Sequence, residues 1–123
     1  MTKVLVAEDS PINRELLREL LEARGYEVFE ACNGQEALEL STQIEPDVLL
    51  LDIGMPVLDG FATVRKLRES NSPPGLPVLA VTAYAMRGDR ENILNSGFDG
   101  YISKPIEANT LFKQIDQLLS KSR

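Results

Sequence analysis

Short apolar runs alternate along the chain with longer segments in which apolar residues recur every three or four positions, and the alternation occurs five times. The short runs predict five strands, at residues 4–7, 27–30, 48–51, 78–81 and 101–103. The third and fourth runs are apolar at consecutive positions, which is typical of parallel strands covered by helices on both faces. The pattern therefore predicts an α/β fold of five βα units.

The first helix has clear start and stop signals. Ser10 is a good N-cap, Pro11 suits the first helical position, and Gly25 suits the C-terminal cap. We expect the apolar stripe of this helix to consist of Ile12, Leu16, Leu17, Leu20 and Leu21.

The remaining helices are marked less evenly. Asn33, followed three residues later by Glu36, resembles a capping box for the second helix, and Asp59 can cap the third. The fourth helical segment, residues 86–96, has few apolar positions, so its packing is expected to be comparatively weak. The Pro- and Gly-rich stretch 70–77 is the clear loop signature of the chain.

Length and charge narrow the classes of protein to consider. A chain of 123 residues and 13.6 kDa has the usual size of one domain, and we expect residues 1–123 to form a single one. Thirteen Lys and Arg against nineteen Asp and Glu give a net charge of −6, which disfavours nucleic acid or an anionic membrane as the main partner. No apolar run approaches the length of a membrane span, and we expect a cytoplasmic protein.

Histidine is absent, which excludes a Ser-His-Asp triad, a His-ligated metal site and a histidine proton shuttle within this chain. Any phosphohistidine must therefore belong to a partner. The single cysteine, Cys32, cannot form an internal disulfide and is expected to be a buried or idle thiol, which indicates a reducing compartment.

Charged and polar residues follow the predicted strands where ligands bind in open parallel sheets, at the carboxyl ends. They are Glu8 and Asp9 after the first strand, Asp52 after the third, Thr82 after the fourth, and Lys104 with Pro105 after the fifth. Each alone suits a turn, a helix cap or a solvated surface. Together, carboxylates about 5 Å apart repel by about 3 kcal/mol per pair at an effective dielectric constant near 20. Such repulsion needs a reason, and a hard divalent cation supplies one.

An oxygen-only site without histidine favours Mg²⁺, or Mn²⁺, over zinc. Carboxylates serve as nucleophiles in aspartyl-phosphate chemistry, in which positioning and charge neutralisation do most of the catalysis. Asp52 is the strongest candidate for the nucleophile, because it ends the central apolar run and is expected to lie between the first-strand acids and Lys104.

Four motifs give the chain a family resemblance: VLVAEDS, LLLDIGMPVLDG, the Thr82-Ala83 pair in AVTA, and YISKP. In this order and at these spacings they resemble the receiver domains of bacterial two-component response regulators, especially the single-domain, CheY-like members. The resemblance covers the whole chain. It implies a flavodoxin-like, doubly wound (βα)5 fold whose parallel five-stranded sheet has the order 2-1-3-4-5.

The resemblance also implies a role for each site residue. Asp52 would be the phospho-acceptor, taking a phosphoryl group from a phosphohistidine on a histidine kinase or histidine phosphotransfer protein. Asp9, Asp52 and the backbone carbonyl of Gly54 would coordinate Mg²⁺, and Glu8 would reach the metal through water. Lys104 and Thr82 would contact the phosphoryl oxygens. Pro105 would follow a cis peptide bond.

Signal output in the family implies that Thr82 moves toward the phosphoryl group and that Tyr101 turns inward. The surface of the fourth helix, fifth strand and fifth helix would then change for a downstream protein target. Glu8 stands where Asp is commoner in the family. Gly54, and Tyr84 two residues after Thr82, occupy positions that help to gate the hydrolytic water, so the phosphorylated lifetime does not follow from the resemblance.

Several alternatives can be compared on the residues. A haloacid-dehalogenase phosphatase needs a second acid two residues after its nucleophile, where this chain has Gly54. A flavodoxin-like electron carrier lacks a Trp to flank its flavin, and no P-loop or dinucleotide-binding glycine motif is present. We therefore expect a phospho-acceptor signalling domain that catalyses only its own phosphorylation and dephosphorylation.

The context of the domain stays open at this stage. A start at Met1 and an end at Arg123 favour a stand-alone protein, and the alternative is a receiver domain excised from a hybrid histidine kinase or a multidomain transcription regulator. A degenerate receiver that acts without phosphate is disfavoured, because Asp52, Lys104 and both first-strand acids are present.

Overall fold

The computed structural model describes residues 1–55, 58–71, 73–83 and 89–121. Strands and helices alternate: β1 Lys3–Ala7, α1 Pro11–Ala23, β2 Glu27–Ala31, α2 Gly34–Ile44, β3 Val48–Asp52, α3 Gly60–Ser70, β4 Val78–Thr82, α4 Asp89–Asn95, β5 Gly100–Ser103 and α5 Ala108–Lys121. The strands form one parallel sheet in the order β2-β1-β3-β4-β5. This order confirms the doubly wound, flavodoxin-like fold.

Each predicted strand lies within an observed strand that is one residue longer. At the functionally important end, β3 includes Asp52 and β4 includes Thr82. Asp52 is paired with Val81, and Thr82 with Ser103. Asp52 and Thr82, which were expected to follow their strands, are therefore the last residues of those strands.

The sheet carries one apolar core on each face, because successive strand residues point in opposite directions. Leu5 and Ala7 face the core that contains Ala37 of α2, Leu67 of α3 and Ile93 of α4. Alternate positions of the same strands face the core beneath α1 and α5. Its buried members include Val4, Val6, Leu17, Leu21, Leu111 and Ile115. Both β3 and β4 are buried throughout, as the apolar runs predicted.

The helix starts follow the predicted caps. Ser10 accepts a hydrogen bond from the Asn13 amide, and Asp59 accepts one from Ala62. Asn33 accepts from the Glu36 amide at 2.8 Å. The reciprocal bond of the predicted capping box differs, since the Glu36 carboxylate accepts at 3.2 Å from the amide of Cys32, the residue before the cap.

The apolar stripe predicted for α1 was wrong at two positions. Leu17 and Leu21 are buried, but the side chains of Ile12 and Leu16 are 79% and 42% exposed. At about 100° per residue, Leu16 lies about 100° and Ile12 about 140° around the helix axis from Leu17, beyond the width of the buried band.

Three other expectations can be compared with the described residues. Helix α4 spans Asp89–Asn95, and the predicted positions 86–88 lie outside the described residues, as does residue 72 of the predicted loop. Cys32 is exposed, so of the two expectations for this thiol burial was wrong and the idle thiol stays a prediction. None of the helices in the described part of the chain has the length and apolar character that crossing a bilayer requires.

Candidate functional site

Backbone hydrogen bonds hold the candidate residues at the carboxyl edge of the sheet. The Glu8 amide donates to the Ala31 carbonyl at 3.0 Å, which extends the β1–β2 pairing by one residue. The Lys104 amide donates to the Thr82 carbonyl at 2.8 Å, which extends the β4–β5 pairing in the same way. Residues from β1, β3, β4 and β5 therefore meet at one edge, although up to 96 positions separate them in sequence.

Three carboxylates come together at this edge. Glu8, Asp9 and Asp52 each offer an oxygen atom, and these atoms all lie within 4.8 Å of one another. Glu8 is 1% and Asp52 5% exposed, whereas Asp9 faces solvent. Among the described residues, Glu8 Oε2 is the buried side-chain oxygen without a hydrogen-bond partner. Two buried acids and one exposed acid at this separation leave a negative charge that lacks full compensation.

Lys104 supplies positive charge to the same cluster. Its ammonium nitrogen Nζ lies 3.1 Å from Asp52 Oδ2 and 3.4 Å from Glu8 Oε1. The other Asp52 oxygen, Oδ1, accepts a hydrogen bond at 3.0 Å from the amide of Gly54. One ammonium group cannot balance the charge of three carboxylates, so the charge balance of the cluster favours a divalent cation.

The pKa values of Glu8, Asp52 and Lys104 are shifted by burial and by the neighbouring charges and hydrogen bonds of this cluster. Burial, followed by the neighbouring Asp52 carboxylate, raises the pKa of Glu8 to about 7, although Asn13 and Lys104 act in the opposite direction. Burial alone would raise the pKa of Asp52, but the contacts with Glu8, the Gly54 amide and Lys104 outweigh it and lower that pKa. Burial likewise opposes the charged form of Lys104, yet its two carboxylate partners raise its pKa. These opposite shifts favour the ionised form of Asp52 over that of Glu8.

Two residues at the start of α1 support the site and were not foreseen from the sequence. Asn13 Nδ2 donates to Glu8 Oε1 at 3.1 Å, and Arg14 Nη1 donates to the Glu8 backbone carbonyl at 2.9 Å. A polar residue in the first turn of a helix that follows an acidic pair was the available signal.

The other predicted residues lie around this cluster. Thr82 is buried at 4% exposure, and Gly54 is exposed directly beside Asp52. The peptide bond between Lys104 and Pro105 is cis. Tyr101 is half-buried, with the Arg90 guanidinium 5.8 Å from its ring centroid. Tyr84, the second candidate for gating water, lies outside the described residues.

The donor set suits a hard divalent cation. It consists of carboxylate oxygens, which Mg²⁺ prefers as ligands. The buried Glu8 Oε2 without a partner is the observation that tests this fit, because a cation or a cation-bound water beside it would satisfy this oxygen and favour the ionised carboxylate.

Comparisons with known proteins agree with this geometry. The family profile described as the response regulator receiver domain matches residues 4–116. The polar-differentiation response regulator DivK of Brucella ovis is 41% identical over 120 residues, which are 97% of this chain and 98% of that protein.

Two solved structures are also similar. The receiver domain of the Francisella response regulator 1452 superposes with a TM-score of 0.93 at 30% identity, with all of both chains covered. The receiver domain of the sensor histidine kinase PA1611 from Pseudomonas aeruginosa has a TM-score of 0.89 at 31% identity, covers 97% of this chain and 98% of its own, and holds magnesium in its active-site cleft. The chain therefore belongs to the family of response regulator receiver domains, with a CheY-like fold.

Proposed function

We propose that residues 1–123 act as a Mg²⁺-dependent receiver domain that accepts a phosphoryl group on Asp52 from a phosphohistidine of a histidine kinase or histidine phosphotransfer protein. The observation that carries the proposal is the placement of Asp52. Its buried carboxylate lies 3.1 Å from the Lys104 ammonium and shares one site with Glu8 and Asp9. This arrangement joins a nucleophile with the positive charge that an incoming phosphoryl group requires.

In the proposed reaction, a carboxylate oxygen of Asp52 attacks the phosphorus atom. The new bond joins that oxygen to phosphorus, the phosphorus–nitrogen bond of the phosphohistidine breaks, and the electron pair leaves with the imidazole. The lowered pKa of Asp52 keeps its oxygens ionised for attack. Lys104 already lies 3.1 Å from Asp52 Oδ2, so its ammonium can pair with a phosphoryl oxygen with little movement.

The acids would hold the metal, with Asp9, Asp52 and the Gly54 carbonyl as direct ligands and Glu8 acting through water. When bound there, Mg²⁺ would offset the charge of the carboxylates and of the incoming phosphoryl oxygens. Gly54 contributes its backbone only, and a Cβ atom there would lie 3.8 Å from Asp52 Oδ1, so no side chain shields this oxygen at that position.

Output would pass from Thr82 and Tyr101 to a downstream protein target. Thr82 is the last residue of β4. Tyr101 belongs to the neighbouring strand β5, where it is paired with Ala80 of β4. Tyr101 borders a groove of about 410 Å³ between α4, β5 and α5. The groove is lined by Arg90, Tyr101, Ile102, Ser103, Pro105, Glu107, Thr110 and Gln114. Inward rotation of Tyr101 would change the shape of this surface.

A receiver that works as a domain of a hybrid histidine kinase or a transcription regulator would use the same chemistry. The similarity to the receiver domain of a sensor histidine kinase supports keeping this second context. The mass of the native protein in an immunoblot of its source cells distinguishes a polypeptide of 13.6 kDa from a longer one.

Mass spectrometry after incubation with acetyl phosphate and Mg²⁺ tests the phosphorylation directly. We expect one added phosphoryl group on the wild type and none on Asp52→Asn. Asp47→Asn is the matched control, because Asp47 is an exposed aspartate at the amino end of the same strand. Full labelling of Asp52→Asn, or no labelling of the wild type, would overturn the proposal.

A further inference from the structure

The two oxygens of the Glu8 carboxylate have different surroundings. Oε1 accepts from Asn13 Nδ2 at 3.1 Å and from Lys104 Nζ at 3.4 Å. Oε2 is buried and has no hydrogen-bond partner among the described residues. We propose that Asn13 is a positioning residue for the metal site, which orients the Glu8 carboxylate so that Oε2 remains available to the cation or its water shell. This inference rests on the proposed function.

The position of Asn13 is fixed by the first turn of α1. Its backbone amide donates to the Ser10 hydroxyl, which caps the helix, so its main chain is held in the first turn. The next residue, Arg14, donates to the Glu8 backbone carbonyl at 2.9 Å. One helical turn therefore holds both the backbone and the side chain of Glu8, and a site supported by a regular element keeps its geometry more closely than one on a loop.

A neutral donor suits this task better than a charged one. A second ammonium group at the position of Asn13 would also orient Glu8, but it would repel a divalent cation bound by the same carboxylates. The amide of Asn13 provides orientation without adding charge. Lys104 contacts both Glu8 and Asp52 and, by the proposed function, turns to the phosphoryl group. Among the described residues, Asn13 is then the donor that stays with the Glu8 carboxylate.

The contact also depends on the length of Glu8. Replacement of Glu8 by Asp removes one methylene and withdraws the carboxylate by about 1.5 Å. From the present 3.1 Å, the amide of Asn13 would no longer be within hydrogen-bond distance of the shorter side chain. Asn13 should therefore matter for metal binding only when position 8 carries Glu.

The test is a Mg²⁺ titration of the ¹⁵N-labelled, unphosphorylated protein, followed by the amide resonances of Asp9 and Gly54. The variants are Asn13→Ala, Glu8→Asp and the double variant, with Asn13→Leu as a second substitution that keeps the branched shape of the side chain and removes its hydrogen-bonding groups. Gln35→Ala is the matched control, because the Gln35 amide donates to a glutamate, Glu39, on the distant helix α2.

We expect Asn13→Ala and Asn13→Leu to weaken Mg²⁺ binding about tenfold, which is the size of effect typical of residues that orient metal ligands. Gln35→Ala should leave the affinity unchanged. In the Glu8→Asp background, Asn13→Ala should change the affinity less than roughly twofold, a coupling that a general effect on the helix would not produce.

Wild-type affinity in both Asn13 variants would overturn the inference and leave the proposed function intact. An equal loss with Glu8 and with Asp at position 8 would also overturn it, because Asn13 would then act through the fold of α1. Absence of Mg²⁺ binding by the wild type would overturn the proposed function together with the inference.

Discussion

Replacement of Glu8 by Gln tests the electrostatic cost of the acidic cluster. Glu8 is 1% exposed, and its carboxylate lies near that of Asp52, so the metal-free protein must either ionise two adjacent buried groups or keep a proton between them. Gln has nearly the same shape and carries no charge. We therefore expect Glu8→Gln to be more stable than the wild type at pH 8 in the presence of a chelator.

The size of the expected gain in the free energy of unfolding can be worked out in two ways. Oxygens up to 4.8 Å apart in the cluster correspond to a repulsion of about 3 kcal/mol per pair at an effective dielectric constant near 20. The rise in the pKa of Glu8 from 4.5 to about 7 corresponds to about 3 kcal/mol as well. Since Gln also gives up the attraction to Lys104, we expect a net gain of about 2 kcal/mol, or roughly 5–10 °C in Tm.

The pH dependence has a definite sign. The folded protein binds the Glu8 proton more tightly than the unfolded chain, so wild-type stability falls as the pH rises from 4.5 to about 7 and then levels off. The pKa of Asp52 is lowered from 3.8, so the stability that it contributes is lost only below this window. The advantage of Glu8→Gln should therefore be close to zero at pH 5 and largest at pH 8.

Urea unfolding followed by circular dichroism, at pH 5 and pH 8 with a chelator, measures this difference. Glu19→Gln, an exposed glutamate on α1, controls for the general loss of a negative charge. A Glu8→Gln protein that is less stable than the wild type at pH 8, or equally stabilised at both pH values, would refute the reasoning. Saturating Mg²⁺ should reduce the advantage, because the wild type then gains the stronger stabilisation by the metal.

Two further substitutions test the phosphoryl site and the fold beside it. Lys104→Ala should still be phosphorylated on Asp52 by acetyl phosphate, roughly tenfold to a hundredfold more slowly, and should lose the phosphorylation-dependent binding of its target, as intact mass and a pull-down would show. Gly34→Ala should reduce the free energy of unfolding by about 2 kcal/mol or more in a urea titration, because its Cβ would overlap Thr63 Oγ1 and approach the Leu58 carbonyl oxygen to 2.5 Å.

Matched controls are available for both substitutions. Lys66→Ala removes an exposed lysine from α3, away from the proposed output surface, and Gln35→Ala changes the residue after Gly34 in α2. Normal target binding by phosphorylated Lys104→Ala would argue against the relay through this lysine. Unchanged stability of Gly34→Ala would show that α2 and the segment before α3 can separate at little cost.

Much of the site could be predicted because its residues follow strands that are recognisable by themselves. The apolar run 48–51 marks a buried strand, and the residue that ends it, Asp52, must then lie at the ligand-binding edge of a parallel sheet. The orientation of the carboxylates could not be predicted in this way. Asn13 reaches Glu8 through the tertiary placement of α1 against β1, and its sequence position alone is equally compatible with an exposed polar residue in the first turn.

The sequence by itself determined the local features of this protein: the alternation of strands and helices, the caps at Ser10, Asn33 and Asp59, and the chemistry of the strand-end side chains. These depend on residues a few positions apart, so their patterns can be read along the chain. Only the tertiary structure decided that Ile12 and Leu16 face solvent, that Glu8 is buried with one oxygen lacking a partner, and that Lys104 contacts two acids at once. Such features depend on contacts between residues as many as 96 positions apart, and on which charges are taken out of water together.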